Sequence, residues 1–168
     1  MSQQSLVETL EGTYFLHGLP QEYLEQIAKA ARIRDCDELD TVFREGDFAE
    51  HVYLVVSGIV SLEMCAPGVG CKRILTVGPG ELLAWSGLTE QARLTATART
   101  LEVTRLVEID AAQLLSMCQR NPSLGYEIMC RTMQTVSGRL SATRMQLVNV
   151  YGSQMPAATS SGGTTDGC

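Results

Sequence analysis

The middle of this chain, residues 33–109, alternates short runs rich in β-branched residues with breaks that contain glycine or proline. Many short strands at this spacing are typical of an all-β sandwich, barrel or jelly roll. The stretch is long enough for about eight strands with their turns. The predicted strands cover residues 41–43, 52–56, 59–64, 73–77, 95–98 and 103–109. The sequence therefore predicts a mainly β fold.

Helical patterns flank this β-rich stretch on both sides. Pro20 opens a helix as a first-turn residue. The apolar stripe of that helix fades around residue 32 and consists of Tyr23, Leu24, Ile27, Ala28 and Ala31. After the strands, Asp110 and Gln113 form a capping box that starts a short helix. Asn121 caps the next helix, and Pro122 stands in its first turn.

The helix after Pro122 carries the most regular apolar pattern in the chain. Its apolar positions are spaced alternately by three and four residues over a length of about 37 Å. An a/d seam of this kind is typical of two helices packed in parallel. A stripe against the chain's own β-domain is the alternative, but the seam is longer than such a domain can cover. We therefore predict a homodimer that pairs through Tyr126, Met129, Met133, Val136, Leu140, Thr143, Leu147 and Val150.

Charge and hydropathy exclude several classes of protein. The 168 residues include 19 acidic and 13 basic side chains, and this net charge of −6 argues against a general nucleic-acid binder. No apolar run reaches the roughly 20 residues that a membrane span needs. The first ten residues contain no Lys or Arg, unlike a signal or transit peptide. Neither of the two histidines stands in a nucleophile motif. We expect a cytoplasmic protein that is not an enzyme and contacts neither DNA nor membrane.

The six cysteines are scattered and form no metal-binding spacing. In a cytoplasmic protein we expect reduced thiols. Cys65 and Cys71 bracket a predicted hairpin tip, so a disulfide between them under oxidation stays as the alternative. In the last 17 residues, ten are Gly, Ser or Thr, and such a segment cannot bury enough surface to fold. Residues 152–168 are therefore predicted to be a disordered tail.

Five motifs in a fixed order give the chain a resemblance to a known family. They are FLHGL at 15–19, VFREGD at 42–47, VYLVVSG at 52–58, LTVGPGE at 75–81 and TATARTLEVTRLVEID at 95–110. In this order and spacing, they resemble the cyclic-nucleotide-binding domain of the catabolite-activator (CRP/FNR-type) regulators. The resemblance implies a β jelly roll around a ligand pocket, an N-terminal helix and a long C-terminal dimerisation helix. It also implies three regions: an N-terminal extension (1–14), the domain (15–151, with its dimer helix at 122–150) and the tail.

That family holds its ligand in a phosphate-binding cassette, usually Phe-Gly-Glu-Leu-Ala followed by Pro-Arg-Ser/Thr-Ala. The Glu accepts a ribose hydroxyl, and the Arg neutralises the cyclic phosphate. By resemblance, Trp85 takes the place of the Glu, and Leu94 that of the Arg, with Arg93 one position early. Arg139 matches a ligand contact from the long helix. The implied pocket consists of Leu83, Ala84, Trp85, Ser86, Gly87, Leu88, Arg93, Leu94, Thr95 and Ala96.

The two replacements indicate a changed ligand site. Hydrogen bonds to charged groups contribute about 1.5–3 kcal/mol each, so losing both anchors weakens binding by about two to four orders of magnitude. Arg93 replaces the lost arginine only if its side chain reverses its sheet face. We expect a sensor or regulatory module that binds a cyclic nucleotide weakly, or another small ligand, and acts through a protein partner. The alternative is a scaffold whose pocket is filled by its own side chains. The family's helix-turn-helix domain is missing from this sequence, which also favours a protein partner.

Overall fold

The computed structural model describes residues 3–89 and 92–151. Two helices come first, α1 (Gln3–Glu11) and α2 (Gln21–Ala28), and α3 (Ala111–Arg120) and α4 (Pro122–Tyr151) come last. Between them lie eight strands: β1 (Ala31–Cys36), β2 (Thr41–Phe43), β3 (His51–Ser57), β4 (Val60–Ala66), β5 (Gly70–Val77), β6 (Leu82–Leu83), β7 (Thr97–Thr100) and β8 (Thr104–Asp110). The predicted class, a mainly β fold with flanking helices, is confirmed.

The strands form two four-stranded antiparallel sheets with the orders β1-β8-β3-β6 and β2-β7-β4-β5. Because side chains alternate along a strand, the two faces of β3 contribute to two different hydrophobic clusters. Val52 and Leu54 join a hydrophobic cluster with the helices, whereas Tyr53 and Val55 join a cluster shared by both sheets. The first sheet therefore lies between a helical layer and the second sheet.

Two of the helices begin at the side-chain caps that the sequence predicts. The Asp110 carboxylate accepts a hydrogen bond from the Gln113 amide (2.8 Å), and the Asn121 side chain accepts one from the Leu124 amide (3.2 Å). Both predicted caps are confirmed. The helix after Pro20 ends at Ala28, earlier than the predicted position near residue 32. The chain turns there because Ala31–Cys36 pairs with β8 along its whole length.

Helix α1 is packed against the remaining domain, since Leu6, Val7 and Leu10 are buried in the helix-side cluster. Up to residue 135 the described chain forms one compact unit, and the part of α4 from residue 136 onward belongs to a second unit. The predicted boundaries at 14 and 151 stay predictions, and the predicted disordered tail lies outside the described residues.

The expectation of reduced thiols is wrong for one pair of cysteines. Cys65 and Cys71 lie directly opposite each other on β4 and β5 and form a disulfide. The register of the hairpin brings their Cα atoms to 3.9 Å from each other. The spacing of the two cysteines in the sequence could not predict this distance. Cys36, Cys118 and Cys130 are free thiols.

Candidate ligand-binding site

The segment that resembles the phosphate-binding cassette begins at a turn fixed by backbone contacts. The Gly80 amide donates to the Val55 carbonyl (2.7 Å), and the Phe15 amide donates to the Gly80 carbonyl (3.0 Å). Gly80 has a φ of +84°, and a Cβ atom there would lie 2.8 Å from the Tyr14 backbone nitrogen. Only glycine allows this close approach between the α1–α2 connection and the turn.

The predicted cassette residues follow as β6 and a single 3-10 turn, Trp85–Leu88. Ala84 links them in a left-handed conformation (φ 56°) that non-glycine residues rarely adopt. Gly87 allows the turn to pack closely, because a Cβ atom there would lie 3.0 Å from the Ala49 carbonyl oxygen. The turn is thus held between the β2–β3 connection and the start of α3, where Ala111 lies 3.2 Å from the same point.

Most side chains of this segment are buried in one of the two hydrophobic clusters. Leu83 and Ala84 belong to the cluster between the sheets, whereas Leu88 belongs to the helix-side cluster. Trp85, predicted from the resemblance to take the place of the family's Glu, is half-buried and packs against the helix-side cluster. Ser86 is buried as well. Between residues 83 and 88, no side chain carries a charge.

The second half of the predicted cassette places its apolar residue inside and its charged residue outside. Leu94 is buried between the sheets. Arg93 is exposed, its guanidinium donates to the Gly46 carbonyl (2.7 Å), and its Cζ atom lies 4.2 Å from the centre of the Phe48 ring. Thr95 is exposed and Ala96 is half-buried. The Arg93 guanidinium therefore contacts the β2–β3 connection on the outer surface.

The predicted seam and its helical neighbour Arg139 lie along α4. Arg139 and Val136 are half-buried, and the other seven seam residues are exposed. The face of α4 that enters the compact unit is a different one, formed by Leu124, Ile128 and Thr132.

A buried carboxylate on β8 is a polar feature that the sequence analysis missed. Glu108 is only 5% exposed and accepts a hydrogen bond from Arg32 (2.8 Å), with Arg34 at 3.9 Å and His51 at 3.7 Å from its other oxygen. Burial favours the neutral acid, but the hydrogen bond from Arg32 and the neighbouring charges outweigh it and lower the pKa of Glu108. Burial, with the nearby Glu108 charge, raises the pKa of Tyr53 to about 12. One sequence feature could have indicated this cluster: Arg32 and Arg34 stand at alternate positions of the chain.

Next to this cluster lies an open cavity of about 330 Å³ between the start of β3 and the β2–β3 connection. Three aromatic rings line it, those of Phe43, Phe48 and Tyr53, together with His51 and Leu94. Among residues 3–89 and 92–151, no group of His, Cys, Asp or Glu side chains is arranged to hold a metal ion. In the same part of the chain, no helix is long and apolar enough to cross a membrane.

Comparisons with known proteins agree with this architecture. The family model "Cyclic nucleotide-binding domain" matches residues 34–121. The cyclic AMP receptor protein of Thermus thermophilus is 26% identical over 119 residues, 71% of this chain and 55% of that protein. The CRP-like cAMP-activated global transcriptional regulator of Mycobacterium tuberculosis is 23% identical over 150 residues, 89% of this chain and 65% of that protein. The chain thus spans 55–65% of the length of these two curated relatives.

A solved structure shares this fold although its sequence identity to the chain is low. It is a triple mutant of the regulatory subunit of a cAMP-independent protein kinase A from Trypanosoma brucei, bound to cAMP. The two proteins share 17% identity and a TM-score of 0.71 over 86% of this chain and 51% of that one. The family match covers more than half of the chain, so this protein belongs to the cyclic nucleotide-binding domain family, with its jelly-roll fold.

Proposed function

We propose that this chain is a regulatory module of the cyclic-nucleotide-binding type that does not depend on tight binding of cyclic AMP or cyclic GMP. The observation that carries the proposal is the position of three side chains in the cassette-like segment. Trp85 packs toward the helices, Leu94 is buried between the sheets, and Arg93 is engaged outside. A cyclic phosphate needs a cation and hydrogen-bond donors, and an apolar Leu94 supplies neither.

The contacts that Arg93 makes with Gly46 and Phe48 argue against Arg93 as a replacement for the missing phosphate-binding arginine. Arg93 and Leu94 are neighbours in an extended segment, so their side chains point in opposite directions. To reach the position of Leu94, Arg93 must release the Gly46 carbonyl and the Phe48 ring and bury its charge. Burial of an unpaired charge is strongly unfavourable.

The Trypanosoma neighbour offers a parallel. Its name calls the wild-type kinase cAMP-independent, and the cAMP-bound form carries three substitutions, one of which replaces a threonine by arginine. The likeness to this chain is one of fold. It motivates the introduction of an arginine at Leu94 as a test.

A second candidate is a scaffold whose interior is filled by its own side chains. The burial of Leu83 and Leu94 in the cluster between the sheets favours it. The two candidates differ in one property, because a sensor gains stability from its ligand and a filled scaffold does not.

A thermal-unfolding screen against cyclic mono- and dinucleotides separates the two candidates. A ligand present at 100 times its dissociation constant adds about 2.7 kcal/mol to the free energy of unfolding. A cyclic dinucleotide that raises the melting temperature, with no shift from cyclic AMP or cyclic GMP, supports an altered sensor. No shift from any compound supports the scaffold. A shift from cyclic AMP at micromolar concentration contradicts both candidates.

We infer that the module is a homodimer paired through α4. Tyr126 and Met133 are exposed by 70% and 65%, and Leu140 and Leu147 by about half, although all four stand at seam positions. Exposed large apolar side chains at a/d spacing gain stability when a second helix covers them.

We further propose that the output is a contact with a partner protein. The net charge of −6 disfavours a DNA target, because DNA binding rests on phosphate neutralisation by Lys and Arg. An acidic protein surface is instead suited to a partner that carries basic groups.

A further inference from the structure

Three loops joined by backbone hydrogen bonds lie at one end of the two sheets, and each carries an exposed apolar side chain. The Leu39 amide donates to the Thr100 carbonyl (3.1 Å), and the Leu101 amide donates to the Ile59 carbonyl (2.8 Å). These bonds join the β1–β2, β3–β4 and β7–β8 connections. We call the resulting surface the loop patch, defined by Leu39, Ile59, Leu101 and Val103.

The loop patch is exposed to an extent that folding does not explain. Leu39 is 60% exposed, Ile59 38% and Val103 73%. Leu39 also adopts a left-handed conformation with a φ of 66°, which is unfavourable for a residue with a large side chain. Glycine or asparagine adopts this conformation more readily. An exposed leucine at this position therefore contributes little to the stability of the isolated domain.

The loops that form the loop patch also carry four acidic side chains. They are all exposed and are Asp37, Glu38, Asp40 and Glu102. Within residues 3–89 and 92–151, none of these four carboxylates forms an ion pair. Two arginines beside these loops are engaged with other groups: Arg99 donates to the Leu39 carbonyl (3.0 Å) and lies 3.7 Å from Glu63, and Arg105 pairs with Asp35. The surface thus combines an apolar centre with an acidic rim.

We propose that the loop patch is the docking surface for a partner-protein segment whose apolar side chains are flanked by Lys or Arg. Protein interfaces commonly have an apolar centre and a polar rim, and complementary charge sets the choice of partner. The rim repels nucleic acid and anionic lipid, and it also repels a second copy of the same surface. A basic amphipathic helix fits both parts of the surface.

This inference rests on the proposed action through a partner protein. The probe is a synthetic helical peptide of about 14 residues, built from leucines on one face and lysines on the other. It is titrated into the isotope-labelled full chain, and the shifts of the backbone amides are followed by NMR. We expect saturable shifts in the three loops around Leu39, Ile59 and Val103. A twin peptide with glutamate in place of every lysine serves as the charge control.

Two variants of the chain test the apolar centre. Leu39→Gly with Val103→Ser removes two exposed side chains and relieves the left-handed leucine, so the melting temperature is expected to stay unchanged or rise. The same double variant should weaken binding of the Leu/Lys peptide about tenfold or more. Val69→Ser is the matched control, since Val69 is 61% exposed on the distant β4–β5 turn. It should leave the affinity unchanged.

Three results contradict the proposal: shifts confined to residues outside the three loops, equal binding of the glutamate twin, or full affinity in the Leu39→Gly, Val103→Ser variant. The result is independent of the cassette. Tight binding of cyclic AMP together with peptide shifts at the loop patch would overturn the proposed function and leave this inference standing. Absence of both signals would overturn the inference alone.

Discussion

Trp85 and Leu94 are the two residues that the resemblance predicts at the positions of the family's Glu and Arg. Both are apolar, and both contribute to hydrophobic clusters rather than to a polar pocket. Replacing them with the family's Glu and Arg therefore removes packing in the hydrophobic clusters and adds groups that can bind the ligand. Removal of a large buried side chain lowers the free energy of unfolding by about 2–5 kcal/mol, so folding has to be verified before binding is measured.

We predict that Trp85→Glu with Leu94→Arg raises the affinity for cyclic AMP by about two to four orders of magnitude, provided the variant folds. The reason is that a carboxylate and a guanidinium supply the two charge-assisted hydrogen bonds that the wild type lacks. Calorimetric titration measures the change. Trp85→Phe with Leu94→Met perturbs the same packing without charge and should gain nothing. A folded Glu/Arg variant with no gain would show that the cassette assignment is wrong.

Glu108 gives a second prediction at the residue scale. Its lowered pKa means that the folded state holds the ionised carboxylate more favourably than the unfolded chain does. Its contribution to stability is therefore present at neutral pH and is lost as the pH falls below about 4.3 and through the folded-state pKa. Glu108→Gln should lower the free energy of unfolding by about 1–3 kcal/mol at pH 7.

Urea unfolding of the wild type and the variant across this range tests the prediction. The difference between the two proteins should shrink on acidification, because protonated Glu108 resembles glutamine. Glu102→Gln is the exposed control and should change little at any pH. A difference that stays constant from pH 7 to about pH 3 would contradict the role of the ionised carboxylate.

At the scale of elements, local patterns predicted the strands that carry a clear apolar alternation. β3, β4, β5 and β8 lie within about three residues of their predicted positions. β1 was missed because charged residues interrupt it, and it is a strand only because it pairs with the distant β8. β6 has two residues and no pattern of its own. For most elements the type followed from local residues, whereas β1 and β6 depended on pairing with strands distant in sequence.

The same limit applies to the candidate site. The resemblance indicated which residues make up the cassette-like segment. The alternation of side chains along a strand correctly predicted that Arg93 and Leu94 point in opposite directions. The direction of Trp85 could not be predicted, because it depends on how the 3-10 turn packs beneath the helices. The Glu108 cluster escaped for a related reason, since its members come from three strands that are far apart in sequence.

The long helix α4 carries a prediction about assembly. Leu140→Asp with Leu147→Asp should convert the dimer into a monomer, because two like charges at each seam layer cannot be buried together. Sedimentation velocity at tens of micromolar measures the change. Met145→Asp with Val148→Asp is the matched control on the same helix, outside the a/d positions, and should remain dimeric. A monomeric wild-type chain would refute pairing through this seam.

The β4–β5 hairpin carries a prediction about its cysteines. With Cys65 and Cys71 bonded, thiol titration of the denatured, unreduced chain should find four of its six cysteines. Because the closed loop is short, Cys65→Ser with Cys71→Ser should lower the free energy of unfolding by only about 2 kcal/mol. Reductant should bring the wild type to the same value. Six free thiols before reduction would contradict the disulfide.

At the scale of the whole molecule, the three proposals rest on three different sets of residues. The helical layer covers one face of the first sheet, and the second sheet covers the other face. The cassette-like turn lies between β6 and β7, and the loop patch lies at the ends of β1, β3 and β7. The seam follows α4. Because the three sets share no residue, each proposal can be tested by its own substitutions.

Calorimetric titration of cyclic AMP into the wild-type chain tests the central claim most directly. The account predicts no saturable heat at sub-millimolar nucleotide, because Leu94 gives the cyclic phosphate no cation and Trp85 gives the ribose hydroxyl no acceptor. A saturable heat with a dissociation constant in the micromolar range or below would contradict it. That result, abolished by Arg93→Gln, would identify Arg93 as the phosphate ligand and return the chain to ordinary cyclic-nucleotide sensing.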